Sequence, residues 1–548
     1  MTGDTMQNGE IMMDSASEPA RADTVATDAD ARAELRLAEL VASFSLVCDL
    51  TMGHPSDEAM RACLLATALA RQMGRTETEC ADVYWTTLLA HAGCTAFAHE
   101  QAALFAGDDV GVNAAGSRAD FSEPREALAF LAEVGRGRAM RDRARIVIGG
   151  IVAGKRFDRQ IATANCEIGA TVAQRLGLAA TVERALLDMF ERWDGKGAPL
   201  ARRGHEIALP ARFAQLAHQA VVYVRIGGVD AASAMTQRRA GKALDPDLAH
   251  AFARSAAGLV ESLDALDPCA AVLAAEPLPQ IRIPAGRLAD VARVFAEVVD
   301  LKSPLFMGHS TGVADLAEAA ARELGLPAGH ARMLSVAGLL HDLGRTGVQN
   351  GIWEKPGPLT QAEWEQVRLH AYQTERILLR SPILAPLAPV AGMHHERLDG
   401  SGYHRGITAT AIPPAARVLA AADAFQAMTE PRRHRPAFDR DAAAALLIDD
   451  VGAGRLDGPA VDAVLSAAGA RQRAGRSAHP DNLTDREVDV LRLAARGFSN
   501  REIGRRLFIS PKTVGRHIEH IYGKLGIRSR AAAALYAVTN GLVEQEMG

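Results

Sequence analysis

Apolar residues recur three and four positions apart through most of this chain, the spacing that places them on one face of a helix. The stretch ELRLAELVASFSLVCDL, from near Leu35, is the first such segment. GRLADVARVFAEVVDL around Leu288 repeats it, with Asp300 matching Asp49 at a shift of 251. Each copy is followed by MGH, at His54 and at His309, with four more residues intervening in the second. Further on, ERWDGKGAPLARRGHEIALPAR from Glu191 aligns without gaps to ERLDGSGYHRGITATAIPPAAR from Glu396, a shift of 205. A period above 200 residues means duplicated whole domains, not a solenoid array.

Where the helical period fails, the chain divides. Residues 1–33 are acidic, polar and aperiodic, as expected of a disordered tail. The Pro-bearing stretch 267–286 reads as a linker between a first copy at 34–266 and a second at 287–465. A Gly/Arg/Ser-rich stretch at 466–480 reads as a flexible linker to a compact domain at 481–548. The expected class is all-α, with two tandem helical domains and a smaller helical one.

Composition narrows this picture without redirecting it. Hydrophobic residues make up 48% and charged residues 23% of the 548 positions, as in an ordinary soluble protein. The net charge of −5 argues against nucleic-acid binding by the whole surface but not by one local domain. Six cysteines with no CxxC pair indicate free thiols in a reducing compartment. The start of the chain lacks the basic and apolar run of a signal peptide, and no apolar run is long enough for a membrane span. A cytoplasmic protein with no membrane attachment is expected.

The second copy carries His309, the pair His341-Asp342, His370, the pair His394-His395, and Asp423 in fixed order. Imidazoles with carboxylates and no thiolate suit a borderline-hard transition metal such as Fe, Mn, Co or Ni. Seven donors exceed the needs of one ion, so a pair of divalent metals sharing a bridging carboxylate is expected. Paired metals in a cleft do hydrolytic phosphate chemistry.

These residues, with KSPLFMGHS, GLLHDLGRTGV, KPGPLTQAEWEQVRLH, MHHERLDGSGY and ADAFQAMT around them, resemble the HD-GYP branch of the HD phosphohydrolase superfamily. The resemblance implies a helical domain holding two iron or manganese ions and cleaving a cyclic dinucleotide, cyclic di-GMP first. By position it gives the ligand roles to the seven residues above, with Asp342 the bridge and a catalytic residue. It gives Arg345, where the family usually has Lys, a catalytic and phosphate-holding role, and Tyr403 a place at the substrate. Three departures stand out: His404 replaces the proline of the GYP signature, Leu305 stands where some relatives carry a carboxylate for a third metal, and Gln426 replaces a common acid.

Carried back through the duplication, most of the donors vanish. His54 remains, but His341-Asp342 becomes Ala90-His91, His370 becomes Asn165, His394-His395 becomes Met189-Phe190, and Asp423 becomes His218. The first copy therefore reads as a degenerate HD-type lobe that packs on the second, dimerises or binds a regulatory ligand. His91, Cys94 and His99 read as core or surface groups in preference to a separate metal or haem site.

The last segment opens with Thr484 and Glu487 spaced as a capping box; Ser499 begins a second helix, and Ser510-Pro511 a third. Val514, Ile518, Ile521 and Leu525 mark the inward face of that third helix, leaving Lys512, Thr513, Arg516, His517 and His520 outward. LTDREVDVLRLAARGFSNREIGRRLFISPKTVGRHI resembles the LuxR-type helix-turn-helix domain, which implies four helices and binding to double-stranded DNA as a homodimer. By that resemblance Lys512, Thr513, Arg516 and His517 face the groove, and Asn500, Lys524 and Arg528 meet phosphates. The leading expectation is a transcription regulator governed by a metal phosphodiesterase. The alternatives are an enzyme for another phosphoester and a silent ligand sensor.

Overall fold

The computed structural model describes residues 34–134, 140–264, 267–433, 435–470, 483–527, 529–540 and 542. The tail expected over 1–33, most of the linker expected over 466–480, and Arg528 lie outside them. The chain divides into two compact units, one up to Ala470 and one from Arg471 onward. Both are helical. Two three-residue strands, Glu34–Arg36 and Arg282–Pro284, pair antiparallel with Leu35 opposite Ile283.

The duplication is visible element by element. Helix Leu37–Thr51 answers Leu288–Asp300, Glu58–Gln72 answers His309–Glu323, Glu77–Leu89 answers Ala328–Leu340, and Leu209–Arg239 answers Pro414–Thr429. Phe44 and Phe295, matched by the shift of 251, stack face to face with ring centres 4.2 Å apart. Equivalent side chains meeting this way put a local two-fold axis between the copies.

Details kept at the shift of 205 give the motif the same structural part in both copies. Glu396 accepts from the backbone N–H of Arg405 and Ile407, at 2.7 and 3.2 Å. Its match Glu191 accepts from Leu200 and Arg202, at 2.6 and 3.0 Å. Gly402 and Gly197 both lie where a Cβ would come within 2.4 Å of a backbone nitrogen, so only glycine fits either loop. The loop is a structural clasp, independent of any metal.

The copies share one core. Lys302, immediately after the first helix of the second copy, pairs with Asp109 of the first at 2.6 Å, and neither side chain is exposed. Asp109 also accepts the Asn350 N–H at 2.8 Å, and the Gly351 N–H reaches the Gly107 carbonyl at 2.9 Å. The 267–286 stretch, expected as a linker, carries helix Pro268–Ala275 and the second strand, with the Leu37 N–H bonded to the Ile281 carbonyl at 3.0 Å. All six cysteines are buried and unbridged. Among the described residues, no helix is long and apolar enough to cross a membrane.

The second unit holds helices Asp485–Ala495, Asn500–Leu507, Pro511–Leu525 and Arg530–Thr539. Thr484 and Ser499 each form a capping box, with Glu487 and Glu502. Val514 and Ile521 are buried in its core while Lys512 and Arg516 are exposed.

Candidate metal centre

Six elements bring the seven side chains together. His309 is the first residue of its helix, His341 caps the end of helix Ala328–Leu340, and Asp342 opens the short 3-10 turn Leu343–Gly347. His370 lies inside helix Gln361–Leu378, His394 and His395 follow helix Ala388–Gly392, and Asp423 lies inside helix Pro414–Thr429.

Asp342 stands at the middle. Its Oδ2 lies 3.4 Å from His309 Nε2 and 3.0 Å from His341 Nε2. Its Oδ1 lies 3.3 Å from His370 Nε2 and 3.7 Å from His394 Nε2. Asp423 Oδ1 is 3.3 Å from His309 Nε2, and its Oδ2 is 3.7 Å from His395 Nδ1. Separations of this size are the edges of a coordination shell whose bonds are about 2.0–2.2 Å long.

Second nitrogens fix the tautomers. The Nδ1 of His341, His370 and His394 donate to the carbonyls of Gly338, Val367 and Ala391, at 2.7, 2.5 and 2.6 Å. His309 Nδ1 bonds Glu430 at 2.9 Å. Each Nε2 lone pair is thereby turned inward, the support metal-binding imidazoles need. His309 Nε2, His341 Nε2 and both oxygens of Asp342 are buried without a hydrogen-bond partner among the protein's own groups. Four such orphans around one point would be costly in a finished core, so these residues fit a metal.

Electrostatics agree. Burial opposes charge on His309, but the carboxylates of Asp342, Asp423 and Glu430 around it outweigh that and raise it to about 10. Burial, and then the neighbouring imidazole His341, lowers His394 to about 3. His395 is held well below the ordinary histidine value by burial and then by His394. Against their own burial, Arg345 holds Asp342 and the His309 bond holds Asp423 well below the carboxylate range. The pocket therefore offers ionised oxygens, neutral imidazoles at His394 and His395, and a His309 that carries its proton until a metal displaces it.

Arg345 lies buried against Asp342, its guanidinium 4.0 Å above the Phe306 ring and 5.6 Å from Trp353. Its Nε and Nη1 have no partner within the protein. The Tyr403 ring leans on His395 at 4.6 Å. Where the GYP proline would stand, His404 packs against Tyr372 at 5.6 Å and faces Glu375 at 3.6 Å.

Two site residues escaped the sequence reading. Glu430 supports His309 and is itself held by Gln426 at 2.8 Å, so an acid one turn on stands in where Gln426 replaces the usual one. Arg432 pairs with Glu430 at 3.1 Å and sits 5.4 Å from the Phe306 ring, a second cation beside Arg345. No motif marks either residue; only the fold brings them in.

The first copy has no such cluster among its described residues. His91 Nδ1 and Cys94 Sγ are 3.7 Å apart, but His99 turns away to Glu354 at 2.8 Å, so these three do not converge. In the second unit, Lys524 is 2.7 Å from Glu487, and Thr513 Oγ1 shares a hydrogen bond with Ser510 at 2.8 Å. Asn500 opens its helix, next to the serine cap.

Comparison with known proteins places this geometry. The HD domain family matches residues 293–459, and the family described as bacterial regulatory proteins, luxR family, matches 481–537. A 3′3′-cGAMP-specific phosphodiesterase of Vibrio cholerae serotype O1 is 31% identical over 76% of this chain and 91% of its own length. A cyclic di-GMP phosphodiesterase response regulator of Xanthomonas campestris pv. campestris is 36% identical over 29% of this chain and 41% of its own. The crystal structure of a cyclic GMP-AMP-specific phosphodiesterase of V. cholerae superposes with a TM-score of 0.57 at 27% identity, covering 80% of this chain and 98% of that one. With these matches and the HD residues gathered around Asp342, the chain belongs to the HD-GYP family of metal-dependent phosphodiesterases and carries a LuxR-type helix-turn-helix domain.

Proposed function

We propose that this protein is a DNA-binding regulator whose phosphodiesterase centre hydrolyses a 3′,3′-linked cyclic dinucleotide. The observation that carries the reading is the division of Asp342, one oxygen toward His309 and His341, the other toward His370 and His394. His309, His341, Asp342 and Asp423 hold one divalent metal; His370, His394, His395 and Asp342 hold the other, with iron or manganese the best match to the donors. Paired metals supply Lewis acidity and a nucleophile at neutral pH. Arg345 uses its two unpartnered N–H groups to orient a phosphate, with Arg432 close by and Tyr403 against a base or sugar. Similarity to the cGAMP-specific enzyme over nearly its whole length favours the mixed dinucleotide over cyclic di-GMP. Full-length protein loaded anaerobically with Fe(II) or Mn(II) is expected to linearise 3′3′-cGAMP. Cleavage of neither dinucleotide by fully loaded protein would overturn this reading.

Metal uptake is expected to depend on pH. His309, raised to about 10, must lose its proton before Nε2 can bind. The apparent affinity should therefore rise as pH rises from 7 toward 9, by up to about tenfold per unit. The same proton stabilises the metal-free fold below about pH 6.5, and that contribution is lost as pH rises through about 10. Competition with a chelator at several pH values reads the slope, and a flat profile would contradict it.

Residues 34–266 and 287–465 form the silent and catalytic lobes, and 481–548 reads DNA as a homodimer, with Lys512, Thr513, Arg516 and His517 at the groove and Asn500, Lys524 and Arg528 on phosphates. Buried, unbridged thiols suit the cytoplasm. Arg516→Ala is expected to weaken operator binding by about 1–3 kcal/mol and to relax specificity at one base pair. A selection of operator variants by the mutant protein checks both.

A further inference from the structure

Positions of the first copy that match the metal donors line a cavity of about 670 Å³. His91, Asn165, Met189, Phe190 and His218 stand there in place of Asp342, His370, His394, His395 and Asp423, and His54 joins them beside Glu58, the residue that answers His309 in the fold. Neither carboxylate of the metal centre has a counterpart here, and the nearby Asp120 and Glu58 are paired with Arg192 and Arg225. The imidazoles are also committed. His54 faces Glu58 and Ser117, each at 3.0 Å, and His218 Nε2 donates to the Thr87 carbonyl at 3.0 Å. Burial keeps His54 near 3 and His218 near 4, so both are neutral at physiological pH.

Nor does the cavity suit an anion. Its two arginines are held in ion pairs: Arg192 with Asp120 at 2.8 Å, and Arg239 with Glu126 at 2.5 Å. In the second copy Arg345 keeps two nitrogens unpartnered, against the single Nε of Arg239 here. A dinucleotide with two phosphates would find no matching charge here.

What remains is aromatic. Phe105, Phe121, Phe130, Phe157 and Phe190 line this one cavity, five of the chain's 15 phenylalanines. Phe121 and Phe190 keep 55% and 38% of their surface exposed, apolar area that a folded chain normally covers. Three lining residues keep a buried polar atom without a hydrogen-bond partner: Asp120 Oδ2 and Arg239 Nε, whose side chains are tied up in ion pairs, and Asn165 Oδ1, which belongs to a neutral side chain. Its amide nitrogen is 3.9 Å from Cys94 Sγ, which leaves the oxygen as the free acceptor.

We propose that the first copy is a binding site for an uncharged, largely aromatic small molecule with one hydrogen-bond donor, covered by the phenylalanines and donating to Asn165 Oδ1. The cavity volume lies within the range of about 300–1,000 Å³ found for small-molecule sites. The segment that walls it also touches the second copy: Phe105 and Val112 line the cavity, while Gly107 and Asp109 between them bond Gly351, Asn350 and Lys302.

The probe is N-phenyl-1-naphthylamine, neutral and aromatic with one N–H, whose fluorescence rises in apolar surroundings. Its sulfonated analogue, 8-anilino-1-naphthalenesulfonate, adds one negative charge to the same skeleton. Full-length protein is expected to bind one equivalent of the neutral probe saturably, and the sulfonate at least about tenfold more weakly. Gly116→Leu and Gly150→Leu fill the cavity. At Gly116 an added Cβ meets nothing within 4 Å, and at Gly150 only Phe105 at 3.8 Å. Both lie in helices, where leucine is the better helix former, so the fold should survive; circular dichroism checks this. Each should abolish probe binding, and Asn165→Ala should weaken it about fivefold. Absence of saturable binding, binding indifferent to both leucine substitutions, or equal binding of the sulfonate would each overturn the proposal. None of these readouts depends on hydrolysis, so a failure here is separable from a failure of the catalytic reading.

Discussion

Asp342→Asn is expected to strip both metals from the protein and to lower dinucleotide hydrolysis by about 10³-fold or more. The substitution keeps the shape of the side chain and removes its charge. The effect is large because each oxygen serves a different set of imidazoles, at 3.0–3.4 Å on one side and 3.3–3.7 Å on the other. His395→Ala provides the contrast. His395 is the most exposed of the seven, with 21% of its side chain accessible, and it groups with His370 and His394, reaching the other set through Asp423 alone, at 3.7 Å. Its loss should cost one metal equivalent and spare the other. Metal content by mass spectrometry, alongside turnover, separates the two variants. Retention of two metals by Asp342→Asn would remove that residue from its bridging role.

The donors of this centre were legible in the sequence because each sits on a locally determined element. The helix before His341 ends at Leu340, that before His394 ends at Gly392, and His370 lies on the inward stripe of its own helix with Ile377 and Leu378. Local rules also sufficed for the capping boxes at Thr484 and Ser499, and for the glycine loops matched by the shift of 205. Glu430 was not legible: it follows the Asp423 helix in ordinary polar sequence, and its meaning comes from His309, 121 positions away. The strand Arg282–Pro284 is too short for any period to reveal, and its partner lies at the far end of the first copy. The cavity was hidden for a related reason. The substitutions at Met189 and Phe190 announce lost ligation, but that they open a phenylalanine-lined space depends on helices that converge only in three dimensions.

Lys302→Met is expected to destabilise the first unit by about 3–5 kcal/mol, because it leaves the Asp109 carboxylate buried without its counter-charge. Both side chains have no exposure, so water cannot take over the role of the lysine. Asp109 would keep only the Asn350 N–H at 2.8 Å, too little for a charge in that setting. Asp109→Asn should cost a similar amount by stranding the ammonium instead. The double change Lys302→Met with Asp109→Asn should recover much of the loss, since no unpaired charge then remains. Denaturant unfolding of the three variants gives the cycle, and a single-variant cost under about 1 kcal/mol would contradict the burial argument. Activity should fall alongside stability. Lys302 leads directly into the turn Pro304–Phe306, whose phenylalanine lies under Arg345, and then into His309. Asp109 belongs to the segment that walls the cavity of the first copy. One buried ion pair thus joins the lobe without a His/Asp cluster among its described residues to the lobe that carries one. This gives a physical reason for the silent copy to persist: removing it would leave Lys302 and the turn beside the metal centre without the partner that holds them.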